Sequence, residues 1–169
     1  VEQFLNGMAG FKRFVELMRT QPAVQDAPGA PDMGKAAGDI SMEDVSFAYD
    51  TGETVLDHIS LHIAPGETLA VVGPSGGGKS TLCQLIPRFY DVTGGRILID
   101  GQDVRAVTQH SLRQNIGIVQ QDVFLFAGTV LDNIRYGRPD ADEEEVAQAA
   151  RLAEIYDDIM AMPDGFQTY

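Results

Sequence analysis

The sequence is poor in several things, and each shortage excludes something. It has one cysteine, Cys83, in 169 residues, so no disulfide can close within the chain, which fits a reducing compartment. In a helical stretch that cysteine reads as a small apolar residue rather than a redox group. No apolar run approaches the about 20 residues that a membrane-spanning helix requires, and no signal-peptide pattern opens the chain. The histidines are His58, His62 and His110. His58 and His62 fall on the polar side of a run whose other side is Ile59, Leu61 and Ile63, which marks a solvated strand face rather than a metal site. Positive charge is scarcest: 12 Lys and Arg stand against 25 Asp and Glu, for a net charge of −13. That balance argues against nucleic acid as a partner and leaves any anionic ligand to local donors, since the global field repels it. Residues 139–164 alone carry nine carboxylates opposed only by Arg151.

The chain is long enough for one domain with a real core. Residues 1–19 read as an amphipathic helix, with Phe4, Met8, Phe11, Val15 and Met18 at alternating steps of four and three. That stripe either packs on the rest of the domain or belongs to a longer helix arriving from elsewhere. Residues 20–38 are dominated by Pro, Ala and Gly with almost nothing to bury, which predicts a flexible, partly extended linker and favours the second reading. Val1 is no natural start, so a piece of a longer polypeptide is expected.

From Ile40 the period changes. Val45, Phe47 and Tyr49 alternate with Ser46 and Ala48, and Ile59, Leu61 and Ile63 repeat the pattern after a polar turn, predicting two antiparallel strands. Residues 68–72 form an apolar run without alternation, as in a strand buried on both faces. A helix is predicted from Lys79 and stopped at Pro87. A strand and an Asp100–Gly101 turn follow, then a short apolar run at 116–119. Residues 142–162 read as one helix, with Asp142 and Glu145 at capping-box spacing and acids filling its first turn.

Between the buried run and its helix lies VVGPSGGGKST, residues 71–81. Gly73, four residues, Gly78, Lys79 and Ser80 satisfy G-x-x-x-x-G-K-[ST]. Glycines at these positions let Gly73, Pro74, Ser75, Gly76, Gly77 and Gly78 curl with N–H groups turned into one concavity. The following helix start, through Thr81, adds its own free amides. Lys79 reaches terminal phosphates as a point charge, and the Ser80 hydroxyl is suited to ligate Mg²⁺. Nucleotide binding follows; the motif alone does not choose among kinases, GTPases, recombinases and transport ATPases.

Four further stretches do. Together with the loop, VSFAYD, GRILIDGQDV, IGIVQQDVFLF and GTVLDNIRYGRPDA resemble, in order and over nearly the whole chain, the nucleotide-binding domain of ATP-binding cassette (ABC) transporters of the exporter type. The resemblance implies an α/β fold: a P-loop NTPase with a RecA-like core, an antiparallel β subdomain and the start of a helical subdomain, incomplete as a domain. It implies ATP and Mg²⁺ as ligands, Tyr49 stacked on adenine, and Gln121, in preference to Gln120, touching Mg²⁺ and the attacking water. Residues 1–19 would be the cytoplasmic end of the last membrane helix, 20–38 its tether, and 39–169 a partial nucleotide-binding domain. The expected partners are the membrane domains, through coupling helices, and a second nucleotide-binding domain, at the cytoplasmic face of the membrane. Phe89, Tyr90, Phe124 and Phe126 either line the groove for the coupling helices or pack as ordinary core.

The sequence also departs from the family. After MPDGFQTY the family pattern continues into an LSGGQ-type signature loop, a strand ending in Asp and Glu, and a switch histidine, none of which is among these residues. The expectation is therefore an ATPase driving export in the parent protein, and a chain of 169 residues that binds nucleotide at best weakly without turning it over. A non-hydrolytic binding module and a soluble cassette ATPase are the alternatives. The latter place the phosphate loop near the chain start, whereas about seventy residues precede it here.

Overall fold

Alternating apolar residues build a four-stranded antiparallel sheet. Strand β1 (Ile40–Ala48) pairs with β2 (Thr54–Ile63) on one side and β3 (Gly94–Ile99) on the other, and β4 (Gln102–Asp103) adds to β3 through the Asp100–Gly101 turn. The computed structural model describes residues 2–50, 52–120 and 124–169, which divide into two units, Val1–Ile118 and Val119–Tyr169. In the first, Met42, Val45, Phe47, Leu56, Ile97 and Ile99 of the sheet are buried with Leu82 and Leu85 of α2 (Lys79–Leu85) and Leu112 of α3 (Gln109–Gln114). On the outer side of β2, His58 Nδ1 and Asp44 Oδ1 are 2.7 Å apart and His62 Nε2 and Asp39 Oδ2 are 2.8 Å apart, all exposed. The hydrogen bond to Asp44, and then its charge, raise the His58 pKa above its ordinary value. A polar strand face in water accounts for both histidines.

The expectation of a strand buried on both faces is corrected. The run 68–72 is not a strand: it has no regular structure, and Leu69, Val71 and Val72 are exposed, Val72 by 88%. A strand can be buried only where neighbours take up its N–H and C=O groups, and among the described residues no ladder reaches it. Residues 116–120 are likewise irregular, with Ile118 and Val119 exposed. Helix α1 (Glu2–Arg19) forms as its period predicts, and Met8, Phe11 and Met18 of its apolar stripe are more than half exposed.

Residues 20–38 contain no helix or strand, but they are not loose. Met33 is buried in the core, and its N–H donates to Ser111 Oγ at 2.9 Å. Asn115 clamps the next turn, donating from Nδ2 to Gly34 O (2.7 Å) and accepting the Ala36 N–H at Oδ1 (2.9 Å). The Asp100 carboxylate then accepts three successive amides, from Ala37 (2.6 Å), Gly38 (3.1 Å) and Asp39 (2.9 Å). Earlier in the segment, Arg88 Nη2 donates to Gln25 O and the Gln109 N–H to Asp26, each at 3.0 Å. The linker's own composition gives no hint of this, because the partners come from residues 61 to 83 positions downstream.

The second unit is helical: α4 (Val130–Arg135), α5 (Glu143–Leu152), α6 (Tyr156–Met160) and a 3-10 turn at Gly165–Gln167. The Asp142–Glu145 capping box is present, with reciprocal bonds of 2.8 and 3.0 Å. The single helix expected at 142–162 is broken. Glu154 takes a left-handed φ of 59°, the Ile155 N–H returns to Ala150 O and the Glu154 N–H to Arg151 O. This is a Schellman end built without the glycine that normally announces it.

Two substitutions test these arrangements. Gly78 precedes α2 at φ 79°, and a Cβ there would lie 2.7 Å from Leu56 Cδ2 and 3.1 Å from Val55 O. Gly78→Ala combines backbone strain with a clash against β2 and should cost roughly 1–3 kcal/mol in urea unfolding. The Asp100 carboxyl is held below its usual pKa by the Asp39 amide first and then by those of Ala37 and Gly38. Its contribution is therefore full above the ordinary Asp value of about 3.9 and is lost as pH falls through the lower folded value. Asp100→Asn should depress the melting temperature at pH 7, with the gap to the unmodified chain narrowing on acidification below about pH 4. A gap that ignores pH would exclude the carboxylate charge as the clamp.

Candidate functional site

The loop at 73–78 is shaped by two left-handed glycines, Gly76 (φ 78°) and Gly78 (φ 79°), and by a turn in which the Gly77 N–H donates to Pro74 O at 3.2 Å. Because Gly78 lies directly against Val55 and Leu56, the loop is seated on the start of β2. The result is a cleft of about 330 Å³ lined by Ser75, Gly76, Gly77, Gly78, Lys79, Ser80 and Thr81 on one side and by Tyr49 and Val55 on the other.

Lys79 opens α2 and bends back over the loop, its Nζ donating to Gly73 O (3.1 Å) and Pro74 O (2.7 Å). Gly73 and Pro74 thus belong to the site through their carbonyls, without lining the cleft. Ser80 is exposed in the first turn of α2, and Thr81 beside it is buried. Tyr49, directly after β1, is half-buried, and its hydroxyl lies 3.0 Å from Thr81 Oγ1 in a shared hydrogen bond. Its ring meets Phe47 edge-on at 4.8 Å between centroids and Tyr90 at 5.3 Å. Gln121 lies outside the described residues.

The remaining aromatics separate. Phe89 carries the Arg113 guanidinium 5.2 Å from its ring centroid, and Tyr90 joins the cluster around Tyr49. In the second unit, Phe124 meets Phe126 edge-on at 5.1 Å, and Phe126 stacks on Tyr136 at 4.3 Å. Phe126 also lines an apolar cavity of about 700 Å³ with Leu125, Ile155, Met162 and Tyr169. Sequence reasoning missed Val55 and the two supports of Tyr49. Val55 enters only through the β1–β2 pairing, and a hydroxyl contact across 32 residues leaves no local pattern.

Chemically, the cleft offers main-chain amides, one ammonium group, the hydroxyls of Ser75, Ser80 and Thr81, and the aromatic ring of Tyr49. No carboxylate or imidazole lines it among the described residues. Such a site can hold a polyanion joined to a flat ring system, and its described lining supplies no carboxylate or imidazole base.

Known proteins agree with this geometry. The ABC transporter family model matches residues 56–165. The uncharacterized ABC transporter ATP-binding protein YwjA of Bacillus subtilis is 50% identical over 168 residues, 99% of this chain and 29% of that protein. Human ATP-binding cassette sub-family B member 6 is 50% identical over 153 residues, 90% of this chain and 18% of that protein. The solved structure of a bacterial Atm1-family ABC exporter with ATP bound matches with a TM-score of 0.86 at 44% identity, over 99% of this chain and 29% of that one. The chain therefore spans less than a third of the length of these relatives. A glycine-rich phosphate loop seated on an antiparallel sheet, with a helical unit following in sequence, is the ABC form of the P-loop NTPase fold, and the chain belongs to the ABC transporter family.

Proposed function

We propose that this chain is the ATP-binding part of an ABC exporter, in which ATP binding and hydrolysis drive export of a substrate across a membrane. The observation that carries the reading is the convergence of Tyr49, Lys79 and the glycine loop on one cleft. Tyr49 stacks on adenine, a contact worth roughly 1–3 kcal/mol that any base can make. Amides from Ser75 to Thr81 hold the phosphates, and Lys79 neutralises the terminal ones. Lys79 must first release the Gly73 and Pro74 carbonyls, so its net contribution falls below that of a bond made from a free ammonium group.

The donor set fits magnesium carried on the phosphates. Ser80 offers one exposed hydroxyl, and Mg²⁺ commonly takes few protein ligands, completing its shell with phosphate oxygens and water. Among the described residues no group of three His, Cys, Asp or Glu gathers to bind an ion unaided. Ser80 would hold the ion, which would supply positive charge to the phosphate oxygens; Gln121 is the second residue proposed to reach it.

The domain reading places residues 1–19 at the end of a membrane helix, 20–38 as its tether and 39–169 in the nucleotide-binding domain, at the cytoplasmic face. The exposed stripe of α1 supports a helix whose apolar side belongs elsewhere, while no helix among the described residues is long and apolar enough to cross a membrane. Membrane domains, through coupling helices, and a second nucleotide-binding domain are the proposed partners. Hydrolysis needs an oriented, activated water. Among the described residues no carboxylate or imidazole lines the cleft, and the reading we propose is that the 169 residues by themselves hold nucleotide without turning it over.

Calorimetric titration with Mg-ATP tests the reading. Lys79→Ala should weaken binding about tenfold, the lower end expected for a charge-assisted bond, because the carbonyl bonds are recovered on release. Tyr49→Ala should weaken ATP and GTP alike. An affinity untouched by Lys79→Ala, or phosphate release that survives it, would overturn the assignment.

A further inference from the structure

Tyr49 is held by more than its own strand. Its hydroxyl is bonded to Thr81 in the first turn of α2, and its ring lies edge-on to Tyr90, five residues past the last residue of that helix. Phe47, on β1, completes a mutual cluster: Phe47–Tyr49 at 4.8 Å, Tyr49–Tyr90 at 5.3 Å and Phe47–Tyr90 at 5.5 Å. Two of the three restraints on Tyr49 therefore come from the segment that begins with the phosphate loop. The stretch that delivers Tyr90 is fixed in turn. The Phe89 N–H returns to Gln84 O and the Arg88 N–H to Leu85 O. The buried Arg88 side chain donates from Nε to Asp91 at 2.7 Å. Tyr90 itself does not line the cleft.

We propose that Tyr90 is a positioning residue. With the Thr81 hydroxyl it grips Tyr49 from the segment that follows the phosphate loop, and so sets the base platform in register with the phosphate cradle. This rests on the reading of the cleft as a nucleotide site and names a residue outside the cleft that tunes it. The physical reason is geometric. A triphosphate and its base are joined by a ribose of fixed span, so both ends bind at full strength only when the two protein surfaces stand at the matching separation. A ring on a strand end would drift about its χ angles; edge-to-face contacts and a hydroxyl tie confine it. Because those contacts come from α2 and the turns directly after it, a movement of the phosphate loop carries the base platform with it.

The test compares two probes on the 169-residue chain by calorimetry: Mg-ATP, which engages both ends, and magnesium tripolyphosphate, which engages the cradle alone. Tyr90→Ala should weaken ATP about three- to tenfold, the range for edge-to-face aromatic pairs, while tripolyphosphate affinity stays unchanged. Tyr90→Phe should restore ATP affinity, because the ring makes the recorded contacts with Phe47 and Tyr49. Tyr49→Phe, which cuts only the tie to Thr81, should shift the same ratio in the same direction. If Tyr90→Ala melts below the assay temperature, Tyr90→Leu and Tyr49→Phe report the ratio in its place. Equal losses for both probes, or none for ATP, would overturn the positioning role and leave the nucleotide reading intact. If the unmodified chain binds neither probe, or Lys79→Ala alters neither, the nucleotide reading falls and this proposal falls with it.

Discussion

The close approach of Gly78 to β2 is the constraint on which the site depends. With no Cβ, the backbone at this position turns left-handed and settles against Leu56 Cδ2 and the Val55 carbonyl. That contact fixes where α2 starts. It thereby fixes the direction of Lys79, the depth of Thr81 and the wall that Val55 contributes to the cleft. Leu56 is a core residue, packed with Phe47, Leu82 and Leu85, so the loop is referenced to the most buried part of the first unit. A phosphate cradle depends on sub-ångström placement of its donors, and a surface loop gains that only by being seated on something incompressible.

The excess of acid serves a local purpose in this fold. Asp100 holds three successive amides of residues 37–39. Asp132 and Thr129 cap α4, Asp142 and Glu145 cap α5, and Asp26 receives the first amide of α3. Each carboxylate supplies acceptors to N–H groups that an extended segment or a helix start would otherwise leave unpaired. Such bonds act over a single contact distance and survive in a protein of net charge −13. Long-range repulsion of an anion, by contrast, is screened within about a Debye length. The same separation of scales would let a strongly acidic chain carry the polyanion site proposed above, since the Lys79 ammonium group and the loop amides would act at contact distance, well inside the range over which distant carboxylates are screened.

How far the sequence could be read depended on the range of the interactions involved. The alternation of β1 and of β2, the start of α2, the Asp100–Gly101 turn and the Asp142 capping box all rest on neighbours within a few residues, and all were legible. The phosphate loop was legible for the same reason, since its chemistry is packed into eight consecutive positions. Tyr49 could be placed on its strand end, but its contacts with Thr81 and Tyr90 cross 32 and 41 positions and follow no period. The break at Glu154 was hidden because a glutamate occupies a conformation that glycine usually marks. The linker misled for another reason: composition reports what a segment can bury by itself, whereas Ser111, Asn115 and Asp100 supply the partners from outside.

The run at residues 68–72 shows what hydrophobicity does and does not encode. Leu69, Val71 and Val72 have the character of an interior strand, yet they are exposed and unladdered among the described residues. Apolar side chains favour burial by about 25 cal/mol per Å², but the same five residues bring backbone donors and acceptors whose burial without partners costs more than the side chains gain. The backbone therefore decides, and an apolar run becomes a strand only when another strand is there to receive it. The glycine loop that follows is exempt from this condition. Its seat against Val55 and Leu56 is a packing contact with a strand already paired to β1. That is why the cleft keeps its geometry next to a segment that has none.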